Sequence, residues 1–353
     1  RDSYILKTKA KSILSVPLIK QNQLIAILYL ENNLLSGAFT SDRIELLTML
    51  SSEIAISIEN AQLYQNLVES LEHQKKLTHA YSRFVPNQFL SLLNKHSIID
   101  IHLGDQIEQE MTVFFSDIRD FTSLSEKMSP QDNINFINSY LKRMEPIIGR
   151  YNGFIDKYIG DAIMGLFPTN ADDAVKSSIA MLMELNELNS KRIEYDWEPI
   201  RIGIGLNTGD LMLGTVGGEH RIEGTVISDA VNLASRTESL TKFYGVELLI
   251  TEFTNEHLEN EYHIRVIDRI RVKGKQEAVT LYEVFDADEE ETRLKKQALL
   301  PTYNLAYELF HSSRYEEAHA QFVQVYRQFP EDKATKIYIQ RCRKHQPSLH
   351  PKK

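Results

Sequence analysis

The stretch FFSDIRDFT (114–122) places an acidic turn directly after an apolar run that begins at Met111. The apolar run predicts a buried strand that carries Asp117 to its end. The residues after it predict a tight turn and then a helix that starts near Phe121 and Thr122. A carboxylate held at the end of a strand can bind a cation.

A second acid, Asp161, lies in the stretch DKYIGD (156–161). This stretch predicts the tip of a hairpin, because Gly160 permits a tight turn. Mg²⁺ takes few protein oxygens and completes its shell from substrate phosphates and water. The pair Asp117 and Asp161 is therefore a candidate site for magnesium bound together with a nucleotide.

A third stretch, TVISDAVNLASR (225–236), has the apolar and polar spacing of a helix from Ala230 onward. Asn232 and Arg236 are four residues apart, so both lie on one face of that helix. A pair of this kind alone is most often a solvated helix face. We interpret Asn232 and Arg236 as functional residues only because the same sequence also contains the two acidic stretches.

Four more stretches follow the order and spacing of one protein family: GFIDKYIGDAIMGLF (153–167), RIGIGLNTG (201–209), LGTVGG (213–218) and VKGK (272–275). Residues 106–286 resemble the catalytic domain of class III nucleotidyl cyclases, specifically that of bacterial adenylyl cyclases. The resemblance implies an α/β (α+β) fold, with a ferredoxin-like βαββαβ core, a mixed but mostly antiparallel sheet and helices outside. It also implies an adenylate cyclase that converts ATP to 3′,5′-cyclic AMP and pyrophosphate.

The resemblance assigns the metal site to Asp117, Asp161 and the backbone carbonyl of Ile118, with two Mg²⁺ or Mn²⁺ ions in each site. One ion would lower the pKa of the ribose 3′-hydroxyl, and the other would neutralise the triphosphate. In-line attack on the α-phosphorus would then release pyrophosphate. In the same family arrangement Asn232 orients the ribose, and Arg236 stabilises charge on the reacting phosphoryl group.

The resemblance also implies contacts to the triphosphate. Backbone N–H groups of Phe121 and Thr122 open a helix, whose unpaired donors and dipole favour anions. Arg201 and Lys273 match the triphosphate-binding positions of the family, and Lys275 is an alternative to Lys273 because VKGK carries two lysines. Four other acids are assigned to caps, turns or surface charge: Asp120, Glu126, Glu223 and Asp229.

The choice between adenine and guanine in the nucleotide substrate is expected to depend on Lys157 and Thr225, which match the purine contacts of the family. A lysine ammonium donates to adenine N1, and a threonine hydroxyl can accept from the exocyclic amine. Guanylyl cyclases of the family carry Glu and Cys at these positions, so ATP is the expected substrate. Thr225 stands where most adenylyl cyclases have Asp, which is similar to cyanobacterial and soluble bicarbonate-responsive enzymes. Bicarbonate stimulation is therefore a further hypothesis.

Two other functions stay open at this point. One is a catalytically silent sensor or scaffold with the cyclase fold, and the other is a guanylate cyclase. A silent domain usually lacks one of the acids, the Asn or the Arg, whereas this chain has all of them. Diguanylate cyclases, which have a related fold, are excluded because their Gly-Gly-Asp/Glu-Glu-Phe signature does not occur in the sequence.

Composition narrows the class of protein. The 353 residues are 42% hydrophobic, which suffices for several cores, and the net charge is −9. This acidity, without a dense Lys/Arg patch, argues against nucleic-acid binding. A single cysteine, Cys342, rules out a disulfide within the chain and favours a reducing compartment, the cytoplasm. The sequence shows neither an apolar run long enough to span a membrane nor a signal peptide.

The N-terminal residues predict a hairpin, with strands at 12–19 and 24–30 joined by the polar turn 20–23. Residues 1–63 resemble the C-terminal part of a GAF sensor domain. Because the chain starts at Arg1 without an initiator Met, we expect a fragment of a larger receptor that holds the rest of the sensor pocket upstream. A structural remnant that assists dimerisation is the simpler role for this segment.

From Ser41 onward, apolar residues at steps of three and four predict a long helix with a coiled-coil-like seam. The seam residues are Leu47, Leu50, Ile54, Ile58, Ala61, Tyr64, Val68 and Leu71. Residues 64–105 are assigned to a helical signalling linker, with simple packing against the sensor core as the alternative. A parallel homodimer is favoured because class III sites form between subunits: one gives the metal acids, and its partner gives the purine contacts, the Asn and the Arg.

The catalytic domain is assigned to residues 106–287, and a charged linker, DADEEET (286–292), follows. Residues 300–345 resemble a single tetratricopeptide-like helical pair. One repeat cannot bury its own apolar face. We therefore expect the pair to dock on the cyclase domain, on the dimer partner or on another protein.

Overall fold

Residues 3–218, 221–271 and 278–345 are described by the computed structural model. They fall into two units, Arg1–Phe84 and Val85–Lys353. Each unit has its own sheet. In the described part of the chain, no helix combines the length and the apolar character needed to cross a membrane.

The first unit contains the predicted hairpin and long helix. Its elements are α1 (Ser3–Thr8), β1 (Ser12–Lys20), β2 (Gln23–Asn32) and α2 (Ser41–Tyr81). Strands β1 and β2 pair antiparallel, and the turn between them holds Gln21 and Asn22 at φ 44° and 67°. Two successive left-handed residues are typical of a tight hairpin turn. The hairpin predicted from the sequence is therefore confirmed.

Helix α2 continues through 41 residues, as the spacing of its apolar residues predicts. Several residues of the predicted seam are exposed in the single chain: Leu50, Ile58, Tyr64, Val68 and Leu71. Ser51 and Ala55 of the same helix are buried within the unit. We expect an exposed apolar stripe along a helix of this length to be covered by another surface.

The described part of the second unit holds one eight-stranded sheet. Its strands are β3 (Gln106–Ile118), β4 (Phe154–Ile159), β5 (Ala162–Phe167), β6 (Ile202–Gly218), β7 (Arg221–Ile227), β8 (Leu248–Thr251), β9 (Ile264–Arg271) and β10 (Ala278–Val284). Its helices are α3 (Asn87–Leu92), α4 (Phe121–Ser125), α5 (Pro130–Arg150), α6 (Ala171–Glu194), α7 (Asp229–Tyr244), α8 (Glu252–Glu256), α9 (Glu290–His311), α10 (Tyr315–Gln328) and α11 (Lys333–His345), with a 3₁₀ turn at Ile98–Asp100.

The strand order of this sheet is β4-β5-β3-β6-β8-β10-β9, with β7 paired to β6. The elements β3, α5, β4, β5, α6 and β6 form the predicted βαββαβ core, whose strands lie in the order β4-β5-β3-β6. The strands of this core pair antiparallel, whereas β8 runs parallel to β6. The ferredoxin-like, mostly antiparallel fold is therefore confirmed.

The two faces of the sheet carry different helices, because side chains alternate along each strand. Phe114 packs with the apolar residues of α5 and α6. Phe115 packs on the other face, with Phe89 of α3 and Ala234 of α7. Asp117 is two residues beyond Phe115 on the same strand, so it belongs to the face that α7 covers.

Helix α7 lies close against β6 because glycines leave room for it. Gly203 and Gly205, in the stretch RIGIGLNTG, fall on the same face of the strand. A Cβ atom at Gly205 would lie 2.1 Å from the backbone N of Glu238, and one at Gly203 would lie 2.8 Å from Glu238 Oε1. Only glycine at these two positions allows the helix to approach this far.

The C-terminal segment forms three helices, α9 to α11, whereas the sequence predicts a helical pair within 300–345. Helix α9 begins at Glu290 and takes in part of the predicted charged linker. Its first turn holds Glu290 and Glu291, and acidic side chains favour the N-terminus of a helix. Pro301 lies inside α9. Because a proline is common in the first turn of a helix and unusual in its interior, the local pattern does not indicate the part of α9 that precedes Pro301.

Helix α11 docks on the sheet of its own unit through buried polar contacts. Arg265 of β9, which is 5% exposed, donates to both carboxylate oxygens of Asp332 at 2.9 and 2.8 Å. The hydroxyl of Tyr338 donates to the carbonyl of Ile267 at 2.9 Å. Two parallel charge-assisted bonds fix orientation as well as adding energy. Within the described residues, α11 therefore packs on the catalytic domain of its own chain.

Candidate active site

The two predicted metal acids lie side by side at one end of the sheet. Asp117 is the penultimate residue of β3, and Asp161 stands in the turn between β4 and β5, where Gly160 has φ 67°. The two carboxyl groups are close enough to affect each other's ionisation. Burial, and next the neighbouring Asp117 carboxyl, raise the pKa of Asp161 from 3.8 to about 6, against the opposing effect of the backbone N–H groups of Asp161 itself and of Ile118.

This pair of acids fits a divalent cation. Two neighbouring carboxylates in a partly buried place repel each other, and a cation between them would remove the repulsion. Mg²⁺ and Mn²⁺ both prefer oxygen donors of this kind. Ile118, the third predicted ligand, ends β3 directly after Asp117. The donor set is therefore suited to the metals that the sequence predicts.

The raised pKa of Asp161 leads to a prediction about the stability of the protein in the absence of metal. Since the pKa of Asp161 in the folded protein, about 6, lies above its ordinary value of 3.8, stability is lost as pH rises through this range. We expect the Asp161→Asn variant in EDTA at pH 7.5 to melt about 2–4 °C above the wild type, with the difference vanishing below pH ~4. Thermal melts over a pH series measure this directly.

Metal provides the control for that measurement. Added Mg²⁺ should raise the melting temperature of the wild type and leave the Asp161→Asn variant nearly unchanged, because a ligand stabilises only the folded state that binds it. A variant that melts below the wild type in EDTA at pH 7.5 would show that the carboxylate of Asp161 stabilises the metal-free fold, contrary to the expectation.

The turn after β3 carries the predicted phosphate-binding groups. Asp120 adopts a left-handed conformation at φ 57°, and α4 begins at Phe121. The first backbone hydrogen bond of this region runs from the N–H of Leu124 to the carbonyl of Asp120 at 3.1 Å. The N–H groups of Phe121 and Thr122 precede it and are not used inside the helix. Helix α4 therefore begins where the sequence predicts it, and the phosphate contacts stay a prediction.

Arg201 lies beside the same turn. Its guanidinium is 3.9 Å from the Asp120 carboxylate, which also pairs with Lys242 of α7 at 2.7 Å. Asp120 therefore anchors the turn to its surroundings, as expected of a structural acid. The structure brings Arg201 close to the acidic turn. Lys273 and its alternative Lys275 lie outside the described residues.

The two predicted purine contacts meet on one face of the domain. Lys157 Nζ lies 3.4 Å from Thr225 Oγ1. They meet because β4 has a bulge: its ladder to β5 shifts between Ile155 and Lys157, and Asp156 is left without a partner strand residue. A bulge re-aims the side chains of its strand. Lys157 consequently pairs with Met164 and shares the face that α7 covers.

Asn232 and Arg236 stand on an exposed face of α7. Ser228 caps this helix, and Asn232 donates to the Ser228 carbonyl at 3.5 Å. Within the described residues of one chain, neither side chain hydrogen-bonds to Asp117 or Asp161. The structure thus brings the two acids together and the two purine contacts together, and it leaves Asn232 and Arg236 exposed on α7.

Glu238 is a residue near the site that the sequence does not single out. Its carboxylate lies over Gly203, which is directly opposite Asp117 in the β3–β6 ladder. Burial, and next the charge of Asp117, raise the pKa of Glu238 from 4.5 to about 7. The alternate glycines of RIGIG were the available signal, because they mark the close approach of a helix.

Arg119 is a second such residue, and it ties the metal turn to the rest of the domain. Its N–H donates to the carbonyl of Arg201 at 2.8 Å, and its guanidinium donates to the carbonyl of Val246. Burial lowers the pKa of Arg119, while nearby Glu247 raises it. The backbone that presents Asp117 is therefore held from both sides.

Comparisons with known proteins agree with this geometry. The family model of the adenylate and guanylate cyclase catalytic domain matches residues 104–284, and that of the GAF domain matches residues 2–58. An adenylate cyclase of Dictyostelium discoideum, terminal-differentiation specific, is 43% identical over 281 residues, which cover 77% of this chain and 13% of that protein. An adenylate cyclase of Anabaena cylindrica is 44% identical over 223 residues, 61% of this chain and 44% of that protein.

The solved structure of a bacterial light-regulated adenylyl cyclase is also similar, with 26% identity, a TM-score of 0.55 and coverage of 68% of this chain and 70% of that one. The chain spans less than half the length of the two curated relatives. The resemblance of the N-terminal residues to a GAF domain is confirmed by the family match. Because the cyclase model covers more than half of the 353 residues and the described fold has the expected core, the chain belongs to the family of adenylate and guanylate cyclase catalytic domains.

Proposed function

We propose that this chain is an adenylate cyclase that converts ATP to 3′,5′-cyclic AMP and pyrophosphate. The observation that supports the proposal most directly is that one domain contains both a pair of acids suited to metal ions and a pair of side chains suited to adenine. Asp117 and Asp161 form a paired-acid site, and Lys157 lies 3.4 Å from Thr225 in a group that suits adenine. The two curated relatives that are 43% and 44% identical carry the name adenylate cyclase.

Divalent metal ions are used by this family in general. In this chain, Asp117, Asp161 and the carbonyl of Ile118 would hold two Mg²⁺ or Mn²⁺ ions per site. When bound, such ions supply positive charge to the triphosphate and acidify the ribose hydroxyl. The protein's part is to present Asp117 at the end of β3, where Arg119 fixes the following segment, and Asp161 in the turn between β4 and β5.

The remaining residues orient the nucleotide and stabilise charge. Asn232 would position the ribose, and Arg236 would place its guanidinium on the reacting phosphoryl group. The triphosphate would meet the N–H groups of Phe121 and Thr122, together with Arg201 and Lys273. None of these side chains needs to take up a proton for the reaction, so their work is positioning and electrostatic.

Class III cyclases act as dimers, and we infer a symmetric homodimer with two composite sites for this chain. Two features support it. Asn232 and Arg236 are exposed on α7, and the apolar stripe of α2 is exposed. In a symmetric pair each α7 can serve the acids of the other copy. The GAF segment and the helical linker would then transmit a signal to the catalytic interface.

The proposed setting is the cytoplasm. ATP is an intracellular substrate, and the only cysteine of the sequence, Cys342, is buried as a free thiol. Free buried thiols are typical of reducing compartments. The domain limits 1–63, 64–105, 106–287 and 300–345 stay part of the proposal, with three helices in place of the C-terminal pair.

Product analysis tests the proposed reaction. The purified chain should form cyclic AMP from ATP, with Mg²⁺ or Mn²⁺, and at least about a hundredfold less cyclic GMP from GTP, because the donor and acceptor pattern of guanine is reversed. Chromatography of both reactions, beside an Asp117→Ala control, measures this. Cyclic GMP as the main product would overturn the base assignment. No product with either metal would favour the silent sensor or scaffold.

A further inference from the structure

The C-terminal end of α7 is bonded by helix α11, which lies beyond the residues that match the cyclase family. Helix α7 ends at Tyr244, and Gly245 caps it in a left-handed conformation at φ 75°. Lys333, the first residue of α11, donates from Nζ to the carbonyl of Lys242 at 2.8 Å. The last carbonyls of a helix have no partner inside it, and a cation there also complements the helix dipole. Lys333 therefore caps α7 from outside.

A buried carboxylate joins the same end of α7 to α11. Asp268 of β9 is 6% exposed and accepts a hydrogen bond from the hydroxyl of Tyr244. It also accepts from the guanidinium of Arg341 in α11 at 2.7 Å, and the hydroxyl of Tyr338 lies 3.0 Å from its other oxygen. The Arg341 guanidinium donates to the Tyr244 hydroxyl as well, at 3.3 Å. Charge-assisted bonds of this kind fix orientation, so α11 holds the last side chain of α7.

The same end of α7 also holds the segment that follows the first metal acid, Asp117. Lys242 Nζ pairs with the Asp120 carboxylate at 2.7 Å. The guanidinium of Arg119 donates to the carbonyl of Val246. Residues 242–246, which we call the α7 junction, are therefore bonded both to α11 and to the turn that leads from Asp117 to the N-terminus of α4.

The α7 junction is also connected to the exposed residues of α7. Arg236 lies eight residues before Tyr244, or about two helical turns along one continuous helix. A shift of the junction would therefore displace Arg236 together with the turn after Asp117. Displacements of about 1 Å are enough to slow a reaction that depends on positioning.

We propose that Arg341 and Lys333 are positioning residues for the proposed reaction, because through the α7 junction they fix both α7 and the turn after Asp117. This inference rests on the proposed function, since it assumes that Arg236 and Asp117 take part in forming cyclic AMP. It gives the C-terminal helices a part in catalysis although none of their side chains is placed at the nucleotide.

Steady-state kinetics of full-length variants test the proposal. Arg341→Met should lower kcat for cyclic AMP formation about 10-fold and change KM for ATP less than about threefold. The split is expected because Arg236 acts on charge that develops in the transition state, and its displacement costs little in the ground state. Arg341→Lys keeps a positive charge beside Asp268 and should return kcat to within about threefold of the wild type.

Hydrogen–deuterium exchange measures the coupling without turnover. The N–H of Arg119 donates to the carbonyl of Arg201 at 2.8 Å, and the N–H of Leu124 donates to the carbonyl of Asp120 at 3.1 Å. In Arg341→Met both N–H groups should exchange at least about threefold faster, although they are distant from α11 in the chain. A wild type that forms no cyclic AMP would overturn the proposed reaction, and the exchange rates would still report on the coupling.

Two controls separate positioning from stability. Arg343→Met removes another guanidinium of α11, which donates to His319 of α10 at 3.3 Å, and should leave kcat and both exchange rates unchanged. Val325→Ala makes a cavity among the buried residues of the C-terminal helices and should lower the melting temperature by a few degrees. Assayed well below its melting temperature, it should keep the kcat of the wild type. An equal loss of kcat in Val325→Ala and Arg341→Met would reduce the role of α11 to stability and overturn the proposal.

Lys333→Met covers the case in which Arg341→Met does not fold. Lys333 is exposed, so its variant should melt within a few degrees of the wild type while kcat falls about threefold. Lys336→Met, at another exposed lysine of α11, is the matched control and should change neither quantity. Unchanged kcat in Lys333→Met would overturn the proposal, as would unchanged exchange of the two N–H groups in a folded Arg341→Met protein.

Discussion

The Asp117→Ala variant alone should form cyclic AMP at least about 10³-fold more slowly than the wild type, because it lacks one of the two acids of the metal site. The Asn232→Ala variant should also be strongly impaired. A heterodimer of the two should nevertheless recover about half of the wild-type rate, since one of its two composite sites has every residue intact. Such rescue would mean that the acids and the Asn of one chain serve different sites.

The experiment needs pure heterodimers. Co-expression of the two variants with different affinity tags, followed by tandem purification, removes both homodimers before the assay. The matched control pairs Asp117→Ala with Asp161→Ala, which lie in the same half-site. Each site of that heterodimer lacks one acid, so no activity should return. No rescue in the test pair would contradict shared sites and favour a site built within one chain. Rescue in the control would instead mean that Asp117 and Asp161 of one chain do not belong to the same site.

Exchange of the purine contacts should invert the choice of base. The Lys157→Glu/Thr225→Cys double variant places an acceptor opposite the N1–H of guanine and removes the donor that adenine N1 requires. We expect kcat/KM for ATP to fall by at least about 10²–10³-fold and the preference between ATP and GTP to reverse, since an unpaired buried polar group is rejected strongly. Initial rates with both nucleotides measure the ratio.

The two single variants serve as controls for the double one. Lys157→Glu alone should lose ATP turnover without gaining full GTP turnover, because Thr225 still suits the amine of adenine. The Lys157→Glu/Thr225→Cys protein should keep its melting temperature within a few degrees, as both side chains are partly exposed. Retained preference for ATP in the double variant would show that these two residues do not select the base.

Short-range patterns in the sequence predict most of the core of the catalytic domain. The apolar run before Asp117, the turn at Gly160 and the helix that carries Asn232 are each encoded within a few residues, and all are found in the structure. The C-terminal boundary is less predictable. Pro301 lies inside α9, because the packing of the helix against β9 and α10 outweighs the local preference of proline for a helix start.

The sequence by itself therefore determined the order of the elements, the family resemblance and the identity of the two acids, because these depend on neighbouring residues and on fixed motif spacing. Only the tertiary structure decided the burial of Asp156, the approach of Glu238 to Asp117 and the docking of α11 on β9. Each of these depends on residues that are distant in the chain: a bulge in one strand, a pair of glycines under a helix and a buried Arg265–Asp332 pair. Such contacts follow from packing in three dimensions, which no local pattern specifies.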